Sequence, residues 1–248
     1  MAAPTRPLDP IVLLHGFGAD RSLWRQVIPL LPASRDVIAL DLPGHGSEAA
    51  TAVSSIDAIA LDLSDRLEAL GVSRAHLVGH SLGGAAVLGL SALGRVAVRS
   101  VTLFAPGGLG PEINGGFING LSSATSAEAL DPWLGVMVAD RAVLPAGYAA
   151  AAFRQMQRTG NAATLAAIAE ALFPGGTQGF TLQAALLALT VPTRIVWGRM
   201  DRVVPPVHAQ TAPGFAAVHL LDGVGHVPPI EVPALAARLI TETVLSAG

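Results

Sequence analysis

A serine between two glycines is the residue best suited to chemistry in this sequence of 248 residues. Ser81 lies in the run Val78-Gly79-His80-Ser81-Leu82-Gly83-Gly84, between a stretch typical of a buried strand and one with helical spacing. A Gly-x-Ser-x-Gly motif at such a junction forces a sharp turn that strains the serine and exposes its hydroxyl. The flanking glycines leave out side chains that would collide across the turn. The motif predicts that Ser81 is a nucleophile; the alternative is a glycine-rich junction with a buried serine.

A serine hydroxyl attacks well only when a nearby base takes its proton. His226 lies in a loop rich in glycine and proline after the last predicted strand, and Asp201 follows the strand before it. A carboxylate holds the imidazole in the correct tautomer and stabilises the imidazolium. Because both loops are expected at the sheet edge that carries the motif, the order serine, acid, histidine predicts a catalytic triad of Ser81, Asp201 and His226.

Other titratable residues are weaker candidates for these roles. His80 lies inside the motif and is expected to pack and form hydrogen bonds rather than act as the base. His208 falls in a predicted helix and His219 in a strand, where packing or solvation explains each of them. Asp222 is close to the predicted base in sequence, but closeness does not align a carboxylate with an imidazole. Asp140 is expected at a helix end.

Two backbone amides must stabilise the oxyanion that forms when a carbonyl is attacked. One predicted donor is the amide of Leu82, which starts the helix after the motif and therefore has no partner inside that helix. The other is the amide of Phe17, in a glycine-flanked loop after the first strand. We interpret His15, Asp41 and His45, which lie in the first two such loops, as structural residues.

Strands that end at one sheet edge, and helices that begin there, must position these residues. Short apolar runs typical of parallel strands buried on both faces occur at Ile11–Leu14, Val37–Leu40, His76–Val78, Val101–Phe104, Arg194–Trp197 and Val218–Leu221. Helical spacing occurs at Ile56–Leu70, Leu82–Leu93 and Val232–Leu245. This alternation predicts an α/β fold with a mostly parallel, doubly wound sheet.

The alternation stops between residues 107 and 189. Glycine, proline and asparagine punctuate the first part of this segment, and no good strand follows. Helical stretches occur near Ala127–Val138, Pro145–Arg158 and Ala162–Leu172. We predict a core domain formed by residues 1–106 and 190–248, with residues 107–189 inserted as a helical cap over the edge where open α/β sheets bind ligands.

Several side chains are candidates to contact a substrate. Apolar residues that could line a hydrophobic pocket, with packing in the core as the alternative for each, are Trp24, Phe117, Trp133, Met137, Phe153 and Met156. Arginines that could anchor a substrate carboxylate, with solvated helix faces as the alternative, are Arg141, Arg154 and Arg158.

The composition excludes several classes of function. Hydrophobic residues make up 51% of the chain and charged residues 13%, and the net charge is −3, which does not favour nucleic acid or an anionic membrane. There is no cysteine, and no apolar stretch is long enough for a membrane span or a signal peptide. We expect a cytoplasmic protein with no cofactor and no metal. All 15 basic residues are arginine, and the chain contains no lysine.

These motifs together resemble the α/β-hydrolase superfamily over nearly the whole chain. A closer resemblance lies in Asp41-Leu42-Pro43-Gly44-His45-Gly46, in the run from Gly107 to Asn114 and in Val138-Ala139-Asp140. These segments are similar to the C-terminal, hydrolase-like half of the dihydrolipoyl acetyltransferase component of acetoin dehydrogenase complexes. Chains of that group usually begin with a lipoyl domain, whereas this sequence begins at the hydrolase half.

The expected function is hydrolysis of an ester, thioester or related small acyl compound through an acyl-enzyme intermediate. Enol-lactonases, cofactor-free haloperoxidases and carbon–carbon bond hydrolases share the triad and remain open. The alternative from another class is a stand-alone module of an acetoin dehydrogenase-type acyltransferase component, which binds or forms a complex with little turnover. The sequence does not determine the acyl group or the oligomeric state.

Overall fold

A parallel sheet forms the centre of the protein. The computed structural model describes residues 8–248, and within that range the strands are β1 (Ile11–Leu14), β2 (Val37–Leu40), β3 (Arg74–His80), β4 (Ala97–Phe104), β5 (Thr193–Gly198) and β6 (Ala217–Leu221). Their order across the sheet is β2-β1-β3-β4-β5-β6, and every pair is parallel. The order reverses between β1 and β3, and ligands bind beyond the carboxyl ends of strands at such a reversal. Ser81 follows β3 directly.

Helices cover both faces of this sheet. They are α1 (Ile56–Ala69), α2 (Leu82–Leu93), α3 (Gly115–Ser123), α4 (Ala127–Val136), α5 (Tyr148–Thr159), α6 (Ala162–Leu172), α7 (Gln183–Leu187), α8 (Pro228–Glu231) and α9 (Pro233–Leu245). In β1, Val12 and Leu14 pack with residues of α1 and α2, whereas Ile11 and Leu13 pack with residues of α9. Since side chains alternate between the faces of a strand, each face is buried by its own helical layer. The expected α/β-hydrolase architecture is confirmed.

Residues 107–189 contain α3 to α7 and, apart from an isolated bridge between Glu112 and Thr177, no strand pairing within the described part of the chain. The sequence predicted α4, α5 and α6 within a few residues, but α3 was missed. Its glycines disfavour a helix locally. Gly120 lies so close to Trp133 of α4 that a Cβ atom there would overlap the indole. Packing between the two helices therefore overrides local preference, and the division of this segment from the core as a cap stays a prediction.

Two expectations concern membranes and the N-terminus. Among the helices between residues 8 and 248, none combines the length and the apolar character that a bilayer crossing requires. The expectation that the N-terminus has no apolar leader concerns residues 1–7 above all, and these lie outside the described residues.

A glycine in α2 sets how closely the helix approaches β1. A Cβ atom on Gly83 would overlap the carbonyl oxygens of Leu14 and His15, which cannot move without breaking the sheet. We predict that Gly83→Ala lowers the free energy of unfolding by about 1–3 kcal/mol or more, because overpacking against backbone is costly. Gly214→Ala is the control, since a Cβ atom there meets nothing within 4 Å. Urea unfolding measures both, and equal stabilities would contradict the account.

Candidate active site

The backbone of Ser81 adopts a rare conformation at the junction of β3 and α2. Its φ is 53° and its ψ −116°, and among residues 8–248 only Ala105, with a φ of 43°, is another non-glycine residue with positive φ. The Ser81 amide donates to the Phe104 carbonyl at 2.9 Å, and its carbonyl accepts from the Gly107 amide at 3.0 Å. Both partners belong to the segment that leaves β4. These hydrogen bonds hold the strained turn that the motif predicted.

His226 and Asp201 are joined by a hydrogen bond between two loops. His226 Nδ1 lies 2.8 Å from Asp201 Oδ2, and both residues are buried. The other carboxylate oxygen, Oδ1, accepts from the amides of Val203 at 2.8 Å and Val204 at 3.0 Å. Because Nδ1 donates to the carboxylate, Nε2 of the neutral imidazole is the basic nitrogen.

Ser81 and His226 line the same cavity, which measures about 50 Å³. Its walls are mainly apolar and come from both the core and the segment 107–189, including Phe17, Phe117, Met137, Phe173, Phe180 and Val227. Among residues 8–248, no arginine, aspartate or glutamate lines it. No hydrogen bond joins the Ser81 hydroxyl to His226 within this range, and the only side-chain bond of His226 there is the one to Asp201.

The amides of Phe17 and Leu82 have no hydrogen-bond acceptor among the described residues. Neither amide donates to any group of residues 8–248, and both residues line the cavity. The next amide along the first loop, that of Gly18, donates to Nε2 of His45 at 3.0 Å. The hydrogen bond of the Gly18 amide fixes this loop and leaves the neighbouring Phe17 amide free. A free donor that is oriented before charge develops is what an oxyanion site needs.

Buried polar residues beneath these loops hold them in place. His15 Nε2 accepts from the Leu42 amide at 3.0 Å, and Asp41 accepts from the Arg21 amide at 2.7 Å. Burial, together with the nearby His15, lowers the pKa of His45 to about 3, so its Nε2 stays an acceptor near neutral pH. Burial raises the pKa of Asp41, but hydrogen bonds from the Ser47 and Arg21 amides outweigh it and the net pKa is lowered.

His80 packs against the ring of His226 and hydrogen-bonds to its backbone. Its Nε2 donates to the His226 carbonyl at 2.9 Å, and the two rings lie 4.8 Å apart between centroids. Burial, and then the neighbouring His226, hold the pKa of His80 well below its usual range. A neutral ring beside His226 adds no repulsion when His226 takes up a proton.

Comparison with known proteins identifies the family. A profile described as "Alpha/beta hydrolase family" matches residues 11–239. The chain belongs to the α/β hydrolase family. It is 36% identical over 223 residues to the dihydrolipoyllysine-residue acetyltransferase component of the acetoin cleaving system of Pseudomonas putida, covering 90% of this chain and 60% of that relative. The chain thus spans about three-fifths of the relative's length.

Solved structures share this fold. A serine hydrolase from the polyaromatic hydrocarbon-degrading bacterium Cycloclasticus zankles superposes with a TM-score of 0.77 at 25% identity, covering 94% of this chain and 88% of that one. The 2-hydroxy-6-oxo-6-phenylhexa-2,4-dienoate hydrolase of Rhodococcus sp. strain RHA1 gives a TM-score of 0.80 at 22% identity, covering 96% and 91%. The second likeness shows the fold alone. Together with the family profile, these structures agree with membership of the α/β hydrolase family.

Four of the six apolar residues predicted to contact a substrate lie away from the cavity. Trp24 is fully buried on the α9 side of the sheet, against Phe104, whereas its neighbour Leu23 lines the cavity. Trp133 packs against the glycines of α3, and the partly buried Phe153 packs from α5 against the core. Met156 does not line the cavity either, whereas Phe117 and Met137 do.

The arginines that could anchor a substrate carboxylate, and the rival acid Asp222, also lie away from the cavity. Arg141 pairs with Asp131, Arg158 bonds Gln155, and Arg154 is exposed; none of the three lines the cavity formed by the described residues. Asp222 is 90% exposed and pairs with Arg199.

The other histidine and acid candidates have structural partners. His208 Nε2 lies 2.7 Å from the carboxylate of Glu112, and His219 bonds Arg194. Asp140 accepts from the Ala142 amide at 2.9 Å, as a helix-end residue does.

Glu231 is a residue that the sequence reasoning missed. Its Oε2 accepts from the amides of Gly225 and Ala139, both at 2.8 Å, and its Oε1 from the Val227 amide at 3.1 Å. Two of these amides flank His226, whose own amide donates to the Met137 carbonyl at 2.8 Å. Glu231 thus ties the histidine loop to the segment after α4. A carboxylate in a short helix directly after the loop is the only sequence signal of this role.

We predict that Glu231→Gln lowers turnover of an aryl ester about tenfold and the free energy of unfolding by about 1–3 kcal/mol. The reason is that an amide offers one acceptor oxygen for three buried N–H groups and places its own NH₂ against one of them. Glu242→Gln, on the surface of α9, is the matched control. Ester kinetics and urea unfolding measure both variants; identical behaviour would show that the loop does not depend on Glu231.

Proposed function

We propose that this protein is a serine hydrolase that cleaves esters or thioesters of small, uncharged acyl groups through an acyl-enzyme intermediate. The observation that carries the proposal is the hydrogen bond from His226 to Asp201 at the wall of the cavity that also contains the strained Ser81. A nucleophile, a base and an orienting acid on three loops of one sheet edge are the parts that acyl transfer requires.

The proposed reaction has two halves. Ser81 Oγ attacks the carbonyl carbon while His226 Nε2 takes the hydroxyl proton, and the new oxyanion accepts hydrogen bonds from the amides of Phe17 and Leu82. The tetrahedral species collapses, the C–O or C–S bond breaks, and His226 returns the proton to the leaving group. Water then repeats these steps on the acyl-Ser81 ester and releases the acid. Asp201 stabilises the imidazolium in both halves.

The cavity favours an acyl group without charge. Gln178, its clearest polar side chain, is already used: Oε1 accepts from the Gly108 amide at 2.7 Å, and Nε2 donates to the Gly110 carbonyl at 2.8 Å. A carboxylate buried in such a wall would lose its hydration without gaining a cation, since no arginine among residues 8–248 lines the cavity and the chain has no lysine. The Rhodococcus relative acts, by its name, on a dienoate, and a substrate of that charge does not suit this cavity.

A second candidate function follows from the similarity to the acetoin-cleaving system. In this proposal the chain is a hydrolase-like module that binds its partners or substrate with little turnover. The 36% identity to the Pseudomonas putida component favours it. An acetyl carrier would need a lipoylated lysine, and this chain has no lysine, so any acetyl transfer by the chain itself would proceed through Ser81 to a free thiol or alcohol. Turnover of simple esters discriminates between the two candidates.

We predict that Ser81→Ala lowers kcat for an aryl ester by several orders of magnitude without affecting folding, because attack and proton transfer act as one unit. Asp201→Asn should also cost a large part of kcat, since the amide favours the wrong imidazole tautomer. Asp222→Asn is the matched control and should leave kcat nearly unchanged, because that carboxylate is exposed and paired with Arg199.

Steady-state kinetics of the three variants, with circular dichroism to verify folding, test this assignment. The residual activity of Ser81→Ala should be far below about a tenth of wild-type turnover. A higher residual activity would exclude Ser81 as the nucleophile. A larger loss in Asp222→Asn than in Asp201→Asn would move the acid to Asp222.

The charge preference of the cavity is tested with a pair of esters of equal chain length. We predict that the p-nitrophenyl ester of butyrate has a kcat/KM at least about tenfold above that of the p-nitrophenyl monoester of succinate, because the succinyl carboxylate must be buried without a cation. Equal or reversed values would show that a cationic group reaches the acyl chain and would contradict the proposed substrate class.

A further inference from the structure

An indole contacts the Asp201 oxygen that holds His226. Trp197 is the fifth residue of β5 and is fully buried; its Nε1 lies 2.9 Å from Asp201 Oδ2 and 3.2 Å from the Val204 carbonyl. We infer that Trp197 is a positioning residue whose N–H group fixes Asp201 Oδ2 in the orientation that His226 needs. This inference rests on the proposed function, since it assigns Trp197 a role in the same proton transfer.

Four donors surround the Asp201 carboxylate. Oδ1 accepts from two backbone amides, and Oδ2 accepts from Trp197 and His226. A carboxylate oxygen has two lone pairs, so this arrangement fills both oxygens. Rotation of the carboxylate about its last bond would break bonds at both oxygens at once. Without the indole, Oδ2 would keep a single side-chain donor, and the direction of its bond to His226 would depend on that donor alone.

The chemistry of an indole suits this position. Its N–H group donates and never accepts, and it does not titrate in the physiological range. Asp201 Oδ2 can therefore only be an acceptor towards Trp197, and the direction of this hydrogen bond is fixed. A hydroxyl in the same place could rotate its hydrogen away from Oδ2, and the carboxylate would then lose this donor. Burial strengthens the effect, because a hydrogen bond to a charged group is stronger at low dielectric.

The indole itself is held in place. The ring of His208 packs against it in an edge-to-face arrangement, with centroids 6.2 Å apart and planes at 89°. His208 is bonded in turn to Glu112 at 2.7 Å. Gly110 gives the imidazole its space, because a Cβ atom there would overlap the ring. Trp197 therefore cannot swing away from Asp201 without displacing His208 and the segment that carries Glu112.

The contact with the Val204 carbonyl allows a purely structural role, in which the indole only braces the turn after Asp201. The two roles differ in what they change. Bracing affects the free energy of unfolding, whereas positioning also affects the His226–Asp201 hydrogen bond and the rate of the chemical step. The test must therefore remove the N–H group while it keeps the shape of the ring.

The experiment replaces Trp197 with β-(3-benzothienyl)alanine, which has the shape of tryptophan and no N–H group, and compares it with Trp197→Phe. The same two replacements at Trp24 are matched controls, because the Trp24 indole N–H is buried and has no hydrogen-bond partner among residues 8–248. The readouts are kcat and KM for an aryl ester, the rate at which a fluorophosphonate labels Ser81, and the downfield proton resonance of His226 Nδ1–H.

We expect both Trp197 variants to lose about tenfold to a hundredfold in kcat and in labelling rate, as for loss of a hydrogen bond to a charged group, with KM changed less than about twofold. The Nδ1–H resonance should shift or broaden in both. The Trp24 variants should retain the wild-type resonance, kcat and labelling rate. The benzothienyl variant answers the question even if Trp197→Phe does not fold.

A benzothienyl variant at position 197 with unchanged kcat and an unchanged Nδ1–H resonance would overturn the inference, and a loss confined to the free energy of unfolding would do the same. Failure of the proposed function has a different signature, because wild-type Ser81 would then not be labelled at all. In that case the resonance alone still shows whether the indole controls the His226–Asp201 bond.

Discussion

The conformation of Ser81 is the constraint on which the rest of the site depends. A non-glycine residue with a φ of 53° costs on the order of 1–3 kcal/mol and persists only where its surroundings hold it. Here the holding groups are the carbonyl of Phe104 and the amide of Gly107, at 2.9 and 3.0 Å. Ala105, between them, is strained as well, with a φ of 43°. The residues at the end of β4 and directly after it thus hold the turn that follows β3. The packing of both strands in the core offsets the free-energy cost of these strained conformations.

The loops around Ser81 are fastened by buried polar groups rather than by the sheet itself. His45 holds the loop that carries the Phe17 amide, and Glu231 and His80 hold the loop that carries His226. Buried polar groups stabilise a fold only when their hydrogen bonds are formed, so these contacts tie each loop to one geometry. In the proposed reaction, a site fixed in this way does not need to reorganise when charge develops on the substrate. Such preorganisation is the main source of electrostatic catalysis.

Much of the fold was predictable because its signals are local. β1, β2 and α2 were predicted to the residue, since an apolar run buried on both faces and a glycine-spaced turn are both legible in a few consecutive residues. Contacts between distant segments were not predictable. α3 is stabilised by Trp133 from the next helix against its own glycine content. Glu231 can tie the histidine loop to the segment after α4 only in the folded protein, where that segment lies beside it.

The site shows the same division between local and distant information. The motif, the loop histidine and the aspartate after β5 could be proposed as a triad from chain order and spacing, and that assignment stays a prediction. The wall of the cavity could not be predicted, because it depends on how each element is rotated. Leu23 lines the cavity and Trp24 does not, although one turn carries both. The hydrogen bond between Trp197 and Asp201 was not predictable for the same reason. A residue in the strand reaches the carboxylate in the loop only because of the conformation of the chain after β5.

The most direct test of the central claim is to trap the acyl-enzyme. The wild-type protein is mixed with p-nitrophenyl acetate, quenched in acid within the first turnovers and digested, and the peptides are analysed by mass spectrometry. The account predicts one acetyl group on the peptide that contains Ser81, at Ser81 itself, formed in step with a burst of p-nitrophenol. Release of p-nitrophenol with no acetyl group on Ser81, or with the acetyl group on another residue, would contradict it.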